Sequence, residues 1–243
     1  MTPPLFLLAD LPAGDELYLV GDEGHHAARV KRVRAGEQIL VADGAGTLLR
    51  CVVRGVTVDG VTLRVERRDW VPVRQPRLVV AQGLAKGERA ELAVELMTEL
   101  GVDEIVPWAA SRSVVQWHGA RGERALGRWG STAREAAKQS RRARVPVIGR
   151  LASTPDVLDR VARSAGVLVL HEAAATSLAT AALPLTGDVL VVVGPEGGIS
   201  PDELTAFAAA GARPVRLGAP VLRTSTAGAA ALAALSVRLG RWS

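Results

Sequence analysis

The sequence predicts an α/β protein: a small N-terminal β-barrel, then a mainly parallel sheet alternating with helices from residue 77 onward. Three observations predict it. Short β-like runs separated by tight turns occupy the first 70 residues. The proline-bearing segment DWVPVRQP, with Pro72 and Pro76, then reads as a linker. Beyond it, continuous apolar runs alternate with helix-like segments bounded by caps. The 243 residues suit one large domain or two small ones, and 48% hydrophobic against 23% charged residues favours a packed core over disorder.

In chain order, EQILVAD, TLLRCVVRG and VTLRVER are the barrel strands, with turns at Gly44-Ala45-Gly46 and Asp59-Gly60 and one helical candidate, EGHHAARVKRV. RLVVAQGL is a buried strand. KGERAELAVELMTEL follows as a helix with Leu92, Leu96 and Leu100 on one face, Ala93 and Met97 beside them, and Gly101 as its C-terminal cap. DEIVPW is a strand, residues 121–140 a basic helix, and Thr154-Pro155 an N-cap and first helical residue. GVLVLHE and DVLVVVG are apolar throughout, as strands covered on both faces are. Ser200-Pro201-Asp202-Glu203 is a capping box for a helix ended by Gly211, RPVRLG is a last strand, and TAGAAALAALSVRL is a closing helix.

Composition excludes several function classes. A single cysteine, Cys51, rules out a disulfide framework and a cysteine-based zinc site, and its apolar setting reads as a plain buried thiol. Four histidines without ligand spacing argue against a metal, and no GxSxG supports a hydrolase triad. No basic leader precedes the first apolar run and no stretch is long enough to span a bilayer, so the expectation is a soluble, cytoplasmic protein away from membranes. The net charge of +5 is unevenly spread: −1 over residues 1–72, +6 over 73–150 and 0 over 151–243. Arg121 to Arg150 holds nine basic groups against Glu123 and Glu135, densest at KQSRRARVP with Lys138, Arg141, Arg142 and Arg144. Such a cluster suits phosphate contacts by forked guanidinium groups, and equally a solvated helix face.

Three strand ends carry candidate chemistry. VVVGPEGGIS leaves a buried strand through Gly194, Pro195, Glu196, Gly197 and Gly198. Glycines let the backbone approach a ligand, and parallel sheets bind ligands at the carboxyl ends of strands. The loop is neither a Walker A motif nor GxGxxG, so a carboxylate among glycines points to a polar or cationic small molecule rather than a phosphate. RLGAPVLRTSTAG offers Arg223, Thr224 and Thr226 for a ligand, while Thr224, Ser225 or Thr226 would also serve as a plain N-cap. LVLHEAA places His171 and Glu172 at a third strand end, where a lone histidine is often a structural hydrogen bonder.

GPEGGIS, LGAPVLRTSTA, KGERAELAVELMTELGVDEIVPW, AAKQSRRARVP and HHAARVKR together resemble the RsmE family, in order along almost the whole chain. These are bacterial S-adenosylmethionine-dependent methyltransferases acting on N3 of a uridine in 16S ribosomal RNA of the small subunit. The resemblance implies the SPOUT superfamily: a PUA-like RNA-binding β-barrel over residues 1–72, and a methyltransferase domain over 73–243 with a trefoil knot and a parallel sheet. It implies a homodimer, no metal, and S-adenosylmethionine held in the knot by Leu170, His171, Gly194, Glu196, Gly197, Gly198, Ile199, Leu217, Gly218 and Val221, Leu222, Arg223, Thr224, Thr226 and Ala227. RNA would meet Arg29, Arg32, Arg112, Gln139 and Arg142, to which the charge cluster adds Arg141. The chain departs from the family at Ser225, where LRTETA has glutamate, and at Lys31, a usually apolar position.

With an activated methyl donor, the protein's share of the chemistry is alignment and help in deprotonating N3. Arg223 is expected to stabilise the developing uracil anion or to hold the nucleotide phosphate, with Glu196 the second candidate, and no general base is evident. Two other readings remain: a ribose 2′-O-methyltransferase of the same superfamily, and a non-catalytic RNA-binding protein.

Overall fold

The computed structural model describes residues 2–242. They divide into two compact units, one running to Val73 and including Ala137–Val145, the other comprising Arg74–Ala136 and the residues from Pro146 onward. The linear boundary expected at 72/73 therefore misses one segment: Ala137–Val145 packs with the first unit.

That unit is a five-stranded sheet in the order β1 (Leu5–Leu7), β3 (Gln38–Ala42), β4 (Thr47–Val56), β5 (Gly60–Trp70) and β2 (Glu16–Val20). Its first pair is parallel and the others antiparallel. Alternation places Phe6, Leu17, Leu19, Ile39, Val41, Leu49, Cys51, Val53 and Leu63 in one core. A second, smaller cluster on Leu5, Leu7, Leu40, Ala42 and Leu48 takes in Ala143 of the inserted segment. A half-buried ion pair, Lys138 Nζ to Glu23 Oε1 at 2.8 Å, fastens the same segment. The expected helix at 23–33 is a short α-turn, α1 (Gly21–His25), continued by a π-helical turn over His26–Val30.

In this unit two strands and part of a third escape the sequence reading. β1 has only three residues, too few for a pattern, whereas Glu16–Val20 does alternate, with Leu17 and Leu19 inward. Asp69 and Trp70, expected in a linker, are the last residues of β5.

The second unit is a six-stranded sheet in the order β11 (Arg213–Val215), β9 (Gly166–Leu170), β10 (Asp188–Val193), β6 (Arg77–Gly83), β7 (Glu104–Trp108) and β8 (Val147–Ile148). Every neighbouring pair is parallel. The chain leaves β6 toward β7 and β8 on one side and returns to β9, β10 and β11 on the other. The carboxyl ends of β6 and β10 thus flank a topological switch point, where open α/β sheets bind their ligands. The helices are α2 (Glu88–Glu99), α3 (Gly119–Gln139), α4 (Thr154–Arg163), α5 (Pro201–Ala209) and α6 (Thr224–Arg238). α3 ends inside the inserted segment of the first unit.

Local expectations shift at three places. The buried stripe of α2 is Ala90, Ala93, Val94 and Met97, while Leu92 is exposed. Small residues let α2 approach the small-residue face of α6, and the leucine stripe lies to the side. The N-cap of α4 is Ser153 rather than Thr154, closing a capping box with Asp156. At α6 the N-cap position falls to Arg223, without a side-chain cap bond, so none of Thr224, Ser225 and Thr226 fills it. The α5 capping box of Ser200 and Glu203 and the left-handed glycines at 101 and 211 stand where the sequence put them.

Candidate functional site

Because β11, β9 and β10 are adjacent and parallel, the loops that follow them emerge at one edge of the sheet. They wall a cleft of about 780 Å³, a size suited to a small-molecule ligand. Leu170 comes from the end of β9 and His171 from the loop after it, Gly194, Glu196, Gly197, Gly198 and Ile199 from the loop after β10, and Leu217, Gly218, Val221, Leu222 and Arg223 from the loop after β11, joined by Thr224 and Ala227 of the first turn of α6. One member of the expected set is outside: Thr226 lies in the first turn of α6 and gives its hydroxyl to the Arg223 carbonyl at 3.1 Å.

The glycine loop is held by short, specific contacts. A Cβ on Gly83, the last residue of β6, would lie 2.5 Å from the Pro195 nitrogen, so glycine there is what lets the two strand ends meet. Fully buried Gln82 donates Nε2 to the Gly83 carbonyl at 3.1 Å and to Thr224 Oγ1 at 2.9 Å. Thr224 Oγ1 in turn donates to the Gly194 carbonyl at 2.7 Å, tying the start of α6 to the loop after β10. Glu196 Oε1 accepts from the Lys86 backbone N–H at 3.0 Å. Arg112 Nη1 reaches the Gly197 carbonyl at 3.3 Å, and a Cβ on Gly197 would lie 2.9 Å from the Arg112 carbonyl oxygen. His171 uses Nδ1 to accept from Ala173 N–H at 3.2 Å, a turn-closing role.

Cleft electrostatics are set by four arginines, Arg89, Arg112, Arg216 and Arg223, against Glu172 and Glu196. Among the described residues, no carboxylate pairs with the Arg223 guanidinium. The Leu217–Arg223 stretch is neither helix nor strand, so its peptide groups can serve a ligand at the cleft wall.

Beneath this wall sits Glu203, only 5% exposed. Oε1 accepts from Ser111 N–H at 2.8 Å and Thr154 Oγ1 at 2.9 Å; Oε2 accepts from Ser111 Oγ and Ser200 Oγ, each at 2.9 Å, and Ser200 N–H at 3.0 Å. Burial alone would raise its pKa, but the bonds from Ser111 and Ser200 outweigh it and hold the carboxyl below its ordinary value. The capping box was legible; the reach to Ser111, which sets the backbone beside Arg112, was not. Gln82, Arg89 and Arg216 were also missed. Only Gln82 left a trace, as a polar residue at the end of an apolar strand.

The expected RNA contacts divide. Arg112 stands at the cleft, while Arg29, Arg32, Gln139, Arg141 and Arg142 all belong to the first unit, and all of these except half-buried Arg142 are exposed. Arg32 and Arg141 have positive φ, 52° and 56°. Among the described residues, no cluster of His, Cys, Asp and Glu could hold a metal ion, and no helix is long and apolar enough to cross a membrane.

A switch-point cleft walled by a glycine loop and ringed with arginines, on a chain with a separate basic unit, defines an RNA-modifying α/β enzyme. In keeping with that class, an RNA methyltransferase domain family matches residues 73–236, and an RNA methyltransferase PUA domain matches 19–66. The chain belongs to the ribosomal RNA small subunit methyltransferase E family. It is 49% identical to the Mycobacterium bovis member over 100% of this chain and 94% of that one. The Bacillus subtilis member is 32% identical, over 90% and 88%. The crystal structure of the Neisseria gonorrhoeae member bound to S-adenosyl methionine superposes with a TM-score of 0.87 at 27% identity, covering 100% of both chains.

Proposed function

We propose that this protein transfers a methyl group from S-adenosylmethionine to N3 of a uridine in 16S ribosomal RNA of the small subunit. The observation that carries the reading is the arginine-ringed cleft of about 780 Å³ at the switch point, in a chain whose family members are small-subunit rRNA methyltransferases. The cleft suits the cofactor: apolar Leu170, Ile199, Leu217 and Val221 offer faces for a base and ribose. The irregular Leu217–Arg223 backbone and Gly194–Gly198 supply peptide groups for its polar edges. Bound there, S-adenosylmethionine supplies an already activated methyl group.

The chain's own residues then have four tasks. Gln82 and Thr224 hold the two cofactor loops in register. Arg112 and the cations of the first unit position the RNA, whose uridine must be unpaired because N3 lies on the pairing edge. Arg223, exposed at the cleft lip and without a carboxylate partner among the described residues, stabilises the uracil anion as N3 passes its proton to solvent water. Glu196, engaged by the Lys86 N–H, orders the glycine loop rather than moving a proton. The homodimer and the trefoil knot implied by the resemblance belong to this reading. Light scattering tests the first, and a crystallographic trace of residues 217–227 tests the second.

The deciding experiment is mass mapping of methylated nucleotides in 16S rRNA from a deletion strain with and without complementation. One base-methylated uridine should disappear and return. A ribose-methylated nucleotide behaving that way would replace the reading with 2′-O-methylation.

A further inference from the structure

The first unit carries an aromatic surface that takes no part in lining the cleft. Trp70, at the end of β5, is 65% exposed. The Arg144 guanidinium lies over its ring, 4.8 Å from the centroid. Arg144 is locked there, donating Nε to the Val71 carbonyl at 2.7 Å. A Cβ on Gly46 would lie 2.6 Å from Arg144 Cζ and 2.8 Å from the Val71 oxygen, so the chain leaves room for the guanidinium only by having glycine at that turn. Asp43 Oδ1 fixes the turn by accepting from the N–H groups of Ala45, Gly46 and Thr47 at 2.7, 2.8 and 3.0 Å. One face of the indole is therefore backed by a fixed cation, and the remaining exposure belongs to the other face and the ring edge.

The unit as a whole is cationic. Asp69, on the opposite face of β5 from Trp70, is itself neutralised by Arg50 and Arg67, at 3.0 and 2.6 Å. Residues 1–73 have a net charge of −1, and Lys138, Arg141, Arg142 and Arg144 of the inserted segment bring the unit to +3. An exposed indole in a basic field suits a flat, electron-poor ring attached to an anionic backbone. A protein partner seeking an apolar anchor would have to desolvate the Arg144 guanidinium stacked on it.

We propose that the Trp70–Arg144 pair is a stacking platform for one unpaired base of the RNA other than the base that is methylated. It rests on the reading that this protein acts on ribosomal RNA. Base–aromatic stacking is worth about 1–3 kcal/mol per base and tolerates any sequence because every base has a π face. The platform therefore contributes affinity and register rather than choice of nucleotide.

The test compares Trp70→Ala and Trp70→Phe with wild type, using a labelled single-stranded fragment of the small-subunit rRNA and the same fragment annealed to its complement. Trp70→Ala should bind the single strand about 5- to 150-fold more weakly, the cited stacking energy expressed as a ratio. Trp70→Phe should retain most of the affinity, and duplex binding should be equal in all three proteins. Calorimetric S-adenosylmethionine affinity should be unchanged. Equal single-strand affinity in Trp70→Ala and wild type would overturn the proposal. So would a change of oligomeric state in Trp70→Ala, which would make Trp70 a contact between copies. If wild type methylates no rRNA yet the Ala/Phe contrast holds, the functional reading fails and the platform stands.

Discussion

Replacing Glu203 with glutamine tests whether a buried carboxylate ties the start of α5 to Ser111 and Thr154. The substitution keeps shape and volume but leaves one acceptor oxygen where five donors now converge. If the amide oxygen keeps Ser111 N–H and Thr154 Oγ1, the amide nitrogen takes the place of Oε2. The hydroxyls of Ser111 and Ser200 can rotate to accept from it. The Ser200 N–H cannot, and is left facing another donor. One unsatisfied, part-buried N–H costs about 1–3 kcal/mol, and losing charge assistance on the remaining bonds adds to it. About 2–3 kcal/mol is expected at pH 7, or roughly 4–12 °C in Tm for a chain of this size.

The sign with pH follows from the depressed pKa. Glu203 contributes stability above its unfolded-state value, about 4.3, and loses that contribution as pH falls through its lower folded value. The gap between wild type and Glu203→Gln should therefore be full at neutrality and narrow in acid. Urea midpoints from pH 7 down to about 3 measure it. A variant within about 0.5 kcal/mol of wild type at pH 7, the range of an ordinary surface change, or a gap that does not narrow in acid, would refute the reasoning.

The other expectations concern single residues. Arg223→Ala should bind S-adenosylmethionine within a few-fold of wild type yet methylate about 100- to 1,000-fold more slowly in single turnover, with Arg223→Lys a partial rescue. A near-normal rate would remove Arg223 from catalysis. Gly83→Ala drives a methyl group onto the Pro195 backbone, and should cost at least about 1–3 kcal/mol by denaturant titration together with cofactor affinity. Unchanged affinity would mean that the glycine loop is positioned by other contacts. Burial pushes the Cys51 thiol up to about 11, so at pH 8 on the order of one molecule in a thousand is thiolate. Labelling by a thiol reagent should track global unfolding, and rapid labelling of folded protein would contradict the burial.

Each strand of the parallel sheet longer than three residues was legible, because a strand covered on both faces is apolar throughout and its ends carry glycine or caps: RLVVAQGL, DEIVPW, GVLVLHE and DVLVVVG all mark themselves. The same holds for the glycine loop and the α5 capping box, whose signals are local. The shorter elements, β1 and β8, have too few residues for periodicity to register. The α2 stripe was misread because leucine and small-residue stripes share one period. Only the partner helix decides which faces inward.

By itself, then, the sequence determined the alternation of elements, the three strand ends that carry chemistry, and, through its motifs, the family. Tertiary structure decided what meets across distance: Gln82 with Thr224, Glu203 with Ser111 and Thr154, Arg112 with Gly197. It also decided that KQSRRARV, central in the chain, packs with the N-terminal sheet and carries its charge there. Periodicity and caps reflect a residue's neighbours within about a turn of chain, whereas a hydrogen bond or a shared charge field depends on which segments the folded backbone brings within a few ångströms.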